Sequence, residues 1–157
     1  MSSEDNFKLI ISELATCFPS DSKVRKRGKN LWGDILDIYF SLNVQKDRHD
    51  PARSFFLNWG AIPISLVGRD PSGIEGRHPS YLVGTMRGRI RPASGQTWRF
   101  PGDEMMCAFL NVIKDSVKTF VTTEIFPVAH IDGQIKLLQE SRLEDDKARL
   151  VLLQEPK

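Results

Sequence analysis

Histidine is scarce in this chain, and its spacing excludes the common metal sites. It occurs only at positions 49, 78 and 130, and none has a second ligand at helical or zinc-finger spacing. No metal or other cofactor is therefore implied, and Asp47, His49 and Asp50 read as a polar turn between strands. Cysteine is limited to Cys17 and Cys107. That rules out a disulfide framework, and the apolar periodic segments around both predict buried, reduced thiols. There is no Gly-x-Ser-x-Gly elbow, and neither cysteine has a histidine near it in sequence. Arg25-Lys26-Arg27-Gly28-Lys29 lacks the glycine five residues before Gly28 that a phosphate-binding loop requires. Catalysis would need a spatially assembled site, with His78 or His130 beside an acid. No apolar run approaches the roughly 20 residues that span a bilayer. The polar, acidic start Met1-Ser2-Ser3-Glu4-Asp5 lacks the basic-then-apolar pattern of a secretion signal. These features predict a cytoplasmic protein with no membrane partner.

What the chain does have is an uneven charge. Its net charge of +2 conceals three blocks. Residues 1–22 carry one Lys against four acids, and residues 100–157 carry seven basic residues against ten acids, a net of −3 in each block. Between them, residues 23–99 carry fourteen Lys or Arg against six acids, a net of +8, and ten of the fourteen are Arg. Arginine grips carboxylate or phosphate with a planar fork and is less hydrated than lysine. The basic middle is the candidate binding surface.

With 157 residues and 40% hydrophobic content, the chain suits one domain over 1–157. Phe7, Ile10, Ile11, Leu14 and Phe18 fall at helical spacing and predict a helix over 4–18, stopped by Pro19. A sheet is expected over 30–100. Asn30 to Asp34 is a short strand. From Leu36 to Gln45, apolar and polar residues alternate with period two, which is the pattern of a half-buried strand. Ser54 to Ile62 is the next strand, with Phe55, Leu57, Trp59 and Ala61 on one face and Phe56 and Asn58 on the other. Residues 68–80 are too rich in Gly and Pro for a regular element. Strands 84–91 and 96–100 follow, read as an antiparallel hairpin. Asp103 is the expected N-cap of a helix over 104–125, whose apolar stripe runs from Met106 through Ile113 and Val117 to Val121. Shorter helices are expected over 132–139 and 144–153, the first capped by Asp132, the last contributing Leu150, Leu152 and Leu153 to the core.

Arg87, Arg89 and Arg91 lie two apart in Thr85-Met86-Arg87-Gly88-Arg89-Ile90-Arg91. On a strand they line one face at a spacing of about 7 Å, with Met86 and Ile90 on the other. The plain reading is a solvated face paired with Asp37 or other acids. The functional reading is an anion-recognising face for phosphate or an acidic protein partner. In that reading Arg99 lies across the hairpin from the row, and Trp98, Trp32 and Tyr39 supply stacking. The run Arg25–Lys29 reads as a solvated connection before the first strand.

Four segments, in order, carry a resemblance: Lys26-Arg27-Gly28-Lys29-Asn30-Leu31-Trp32; Phe55-Phe56-Leu57-Asn58-Trp59-Gly60; Met86-Arg87-Gly88-Arg89-Ile90 followed by Trp98; and Phe126-Pro127. Together they resemble a bacterial family of small domains of unknown function, across most of residues 7–140. Trp59 stands where that family usually has an aliphatic residue, and the 68–80 loop departs from its pattern. The resemblance implies one α+β domain and brings no catalytic residues. Some small bacterial domains of this kind are immunity proteins for secreted toxins, an analogy of size and fold.

The expected fold is α+β: an antiparallel meander of about five strands with helices on one face. The expected function is non-enzymatic binding of a protein partner with an acidic surface, of immunity or antitoxin type, through Arg87, Arg89, Arg91, Arg99, Trp98 and Tyr39. RNA or single-stranded nucleic acid is the alternative ligand, and an enzyme with a spatially assembled site is the second alternative.

Overall fold

The computed structural model describes residues 2–69 and 84–155. These form an α+β fold, in which helix α1 (Ser3–Ala15) precedes strands β1 (Arg25–Arg27), β2 (Asn30–Ile35), β3 (Ile38–Lys46) and β4 (Ser54–Pro63). Strands β5 (Met86–Ile90) and β6 (Trp98–Arg99) follow, and then helices α2 (Met106–Phe120), α3 (Ile131–Glu140) and α4 (Glu144–Gln154). The pairing is antiparallel throughout, in the order β1-β2-β3-β4-β5, with β6 also on β4. No helix of the described residues is long and apolar enough to cross a membrane. The Gly- and Pro-rich stretch expected over 68–80 lies outside the described residues from position 70 onward.

Local chemistry accounts for the first elements. Ser2 and Asp5 form a reciprocal capping box that starts α1. Phe7, Ile10, Ile11 and Leu14 are the face it buries. The helix ends three residues earlier than its apolar period predicts, yet Cys17 and Phe18 still pack into the core as a turn. The basic run expected to be a solvated connection is instead the edge strand β1. Arg27 pairs with Asn30 across a two-residue turn, and Gly28 takes φ +60°, which glycine adopts without steric cost.

Leu36 and Asp37, expected within a strand, form the β2–β3 turn between paired Ile35 and Ile38. Leu36 is half exposed and held at φ +52°, a strained region for a residue with a Cβ. Its neighbour explains why the strain persists. The Asp37 N–H donates to Ala129 O at 3.0 Å and its C=O accepts from Ile64 N at 3.0 Å. Its carboxylate Oδ2 accepts from Ile131 N at 3.0 Å, at the start of α3. Asp37, and not Asp132, therefore caps α3.

Strand parity separates two faces of the sheet. Leu31, Phe40, Leu42, Val44, Leu57 and Trp59 lie on the face against α1 and α2 and are buried. From α2 this core takes Met106, Ile113 and Val117, and then Val121 and Ile125 from the π-helical turn that extends the helix. Edge-on ring contacts such as Phe7–Phe100, with centroids 5.1 Å apart, fill the centre. Asp103 is not the N-cap of α2; it opens a 3-10 turn, and the N-cap is Met105, whose side chain makes no capping bond. Helices α3 and α4 pack on each other, and α4 packs on the 3-10 turn Ile64–Leu66 after β4. What α4 buries is Asp146 and Arg149, joined at 2.6 Å. Leu150, Leu152 and Leu153 are only half-buried.

The cysteines part company. Cys17 is buried between α1 and the Lys114 carbonyl, but Cys107 is exposed on α2, contrary to expectation. Burial pushes the Cys17 thiol up to about 11 from 9.0. The unfolded chain thus loses this proton from about pH 9.0 while the folded chain keeps it, so stability falls as pH rises through that window. A thiol reagent at mildly alkaline pH should label one cysteine, Cys107, in the native protein and both after denaturation, read by mass spectrometry.

Gly88 shows why Arg87 and Arg89 flank a glycine. It pairs with Trp59, and a Cβ at Gly88 would meet the Trp59 Nε1 at 2.9 Å. The Trp59 ring itself packs at a tilt against Phe120, with centroids 4.9 Å apart, and has little room to yield. Gly88→Val should cost roughly 1–3 kcal/mol in a denaturant melt, with Gly88→Ala smaller but of the same sign.

Candidate functional site

The second face of the sheet carries the polar residues. Register puts Arg25 and Arg27 of β1 beside Trp32 and Asn30 of β2. It then sets Asn30 against Asn43, Asn43 against Asn58, and Asn58 against Arg89. One transverse row thus crosses four strands, and hydrogen bonds join its side chains. Asn43 Nδ2 donates to Asn30 Oδ1 at 2.7 Å. Asn58 Nδ2 donates to Gln45 Oε1 at 2.9 Å and to Asn43 Oδ1 at 3.3 Å. Arg89 Nε donates to Asn58 Oδ1 at 3.1 Å. Asn58 is buried at 3% exposure, so the row is anchored inside the sheet and ends in solvent at Arg89.

Two contacts hold the Arg89 guanidinium. Besides the Asn58 bond, its Cζ lies 4.1 Å from the Phe56 ring centroid, a cation–π stack. Among the described residues, no carboxylate comes within ion-pair distance of Arg89 or Arg91. The pairing with Asp37 does not form, because that carboxylate caps α3.

The other expected site residues scatter. Arg87 shares the Arg89 face, opposite Gly60. Arg91 lies past the end of β5 and beside α2, in a groove it shares with Arg89. Strands β5 and β6 are not a hairpin. Ile90 pairs with Leu57 and Trp98 with Phe55, so both strands run along the same edge of β4, interrupted by residues 91–97. Arg99 is therefore in line with Arg87 and Arg89 rather than across from them, and it pairs with Asp50 at 3.4 Å. Trp98 is a core residue at 3% exposure, packed edge-on against Phe109. Its Nε1 donates to Ile90 O at 2.8 Å and closes the neck of the 91–97 excursion. Tyr39 is half-buried on the polar face, opposite Ile62 and Asp34. Trp32 shares that face but is buried.

The residues that sequence reasoning missed are Asn30, Asn43 and Gln45, with the role of Asn58 and Phe56 in holding Arg89. Their signal was present as polar positions in alternating strands, but their alignment depends on register between strands. The acid–histidine pair that a spatially assembled catalytic site would need has one representative among the described residues, His130 Nδ1 at 4.0 Å from Asp37 Oδ2, with both side chains exposed. His78 lies outside the described residues. Among the described residues no three His, Cys, Asp or Glu side chains gather at metal-binding range.

Asn58→Ala removes the centre of the row and leaves Arg89, Asn43 and Gln45 each one partner short. It should cost about 1–3 kcal/mol in a denaturant melt, and the Arg89 Nε–H signal should lose its dispersion in NMR spectra.

Neither a family model, nor a curated protein, nor a solved structure matches this chain.

Proposed function

We propose that the chain is a non-enzymatic binding module whose basic sheet edge, centred on Arg89, engages an acidic segment of a protein partner. One observation carries the reading. The Arg89 guanidinium is pre-oriented by Phe56 and Asn58 and meets no carboxylate among the described residues. A guanidinium already ordered before binding loses less rotamer entropy when it grips a carboxylate. Arg87 on the same strand face, and Arg91 beyond it, add positive potential. An immunity- or antitoxin-like role, in which this edge covers the acidic surface of a toxin, is one form of that function. The reducing cytoplasm suits two unpaired cysteines, one of them exposed.

Single-stranded nucleic acid is the weaker reading. Sheet platforms for single strands offer open ring faces on which bases stack. Here Trp32 and Trp98 are buried, Phe56 lies beneath Arg89, and Tyr39 is half-buried.

The test is affinity capture with and without nuclease, wild type beside Arg89→Glu. The expected result is an acid-rich protein that survives nuclease and binds the variant about tenfold more weakly or worse. Captured material that vanishes with nuclease, or a partner indifferent to Arg89→Glu, would overturn the assignment.

A further inference from the structure

Strand β5 is the last strand on its side of the sheet among the described residues. Helix α2 packs beside it. Between them runs an open groove of about 670 Å³. Arg89, Ile90 and Arg91 form the strand wall. On the helix wall Val112, Ser116, Thr119 and Thr123 recur every three or four residues, the spacing of one helix face. Val112 is 58% exposed, although the same helix buries Ile113 and Val117 under the sheet. Its outer face therefore lies where one more strand beside β5 would rest.

We propose that this groove takes an extended segment of the protein partner as an added antiparallel or parallel strand on β5, with acidic side chains at alternate positions. This rests on the acidic-partner reading above and specifies how the partner is held. An edge with no further strand beside it among the described residues offers main-chain donors and acceptors to an incoming strand, and side chains two apart supply the specificity. Charge decides which side chains go where. Residues on the Arg89 face of the added strand would be carboxylates, matched to the held guanidinium at strand spacing. Residues on the other face would lie over Val112, Ser116 and Thr119 and near Asp115 and Glu124 of the helix wall, where a carboxylate would be repelled and a small apolar side chain would pack. The pattern that fits is acid, apolar, acid, apolar. A second copy of this chain fits poorly, because two β5 edges laid side by side would set arginine against arginine.

The probe is a capped peptide, Glu-Val-Glu-Thr-Glu-Val-Glu, titrated to millimolar concentration into the isotope-labelled full chain and followed by amide NMR. Two further peptides carry N-methyl groups on one or the other alternate set of amides, so that charge is kept and one set of main-chain donors is lost. The protein variant is Thr119→Trp, an exposed position whose enlargement fills the groove without touching Arg89. The expected result is saturable shifts along β5 and the outer face of α2. Methylation of one alternate set, and Thr119→Trp, should each weaken binding about tenfold or more. Binding that neither methylated peptide nor Thr119→Trp changes would overturn strand addition and leave the acidic-partner reading intact. No shifts at millimolar peptide would also overturn strand addition, while capture with Arg89→Glu decides the broader reading separately. A single-stranded oligonucleotide that displaces the peptide and binds more tightly would overturn both.

Discussion

A one-residue slip of β4 against β3 would turn Phe55, Leu57 and Trp59 toward the polar face and carry Asn58 into the core. Because side chains alternate strictly along a strand, register is all-or-none where one face is buried. Here nine consecutive pairs hold β4 to β3, and β5 and β6 hold its other edge. The apolar set on one side of β4 is closed by α1 and α2, with Trp59 seated over Gly88 and against Phe120. The burial of that set fixes the position of the polar set on the other side.

Arg89 inherits its geometry from this constraint. It lies on an edge strand, where a side chain is usually solvated and mobile. Its Nε is instead bonded to Asn58, which is buried in β4 and bonded in turn to β3. Phe56, two residues before Asn58 on the same strand face, supplies the ring beneath the guanidinium. Core packing thus orders a surface cation through linked contacts, and among the described residues no carboxylate reaches it. The Trp98–Ile90 bond contributes at the other end, by closing the 91–97 excursion so that β5 and β6 remain one edge.

A second anchor lies away from this surface. Asp37 uses its amide, its carbonyl and its carboxylate to tie the β2–β3 turn to Ala129, Ile64 and Ile131. Three bonds at one residue are consistent with the strained φ of Leu36 beside it. They also leave this acid committed to structure, which is why it does not neutralise the arginines.

The sequence by itself determined the elements whose signal is periodic. These are the helical stripes of α1 and α2, the alternation of β3 and β4, and the shared face of Arg87 and Arg89, all consequences of backbone geometry within a few residues. It also carried the α+β class, since strands ran through the middle and helices stood at the ends. Only the tertiary structure decided what depends on partners far along the chain. Arg25–Arg27 became a strand because β2 offered an edge. Trp98 went to the core and β6 to β4 rather than β5, because burying an indole against Phe109 outweighs a local hairpin. Cys107 stayed exposed because the α2 stripe left it on the outer side of the helix. Asp37 became a helix cap for a residue 94 positions away. Pairing, capping and burial are contacts between distant segments, and no window of local sequence contains both members of such a contact.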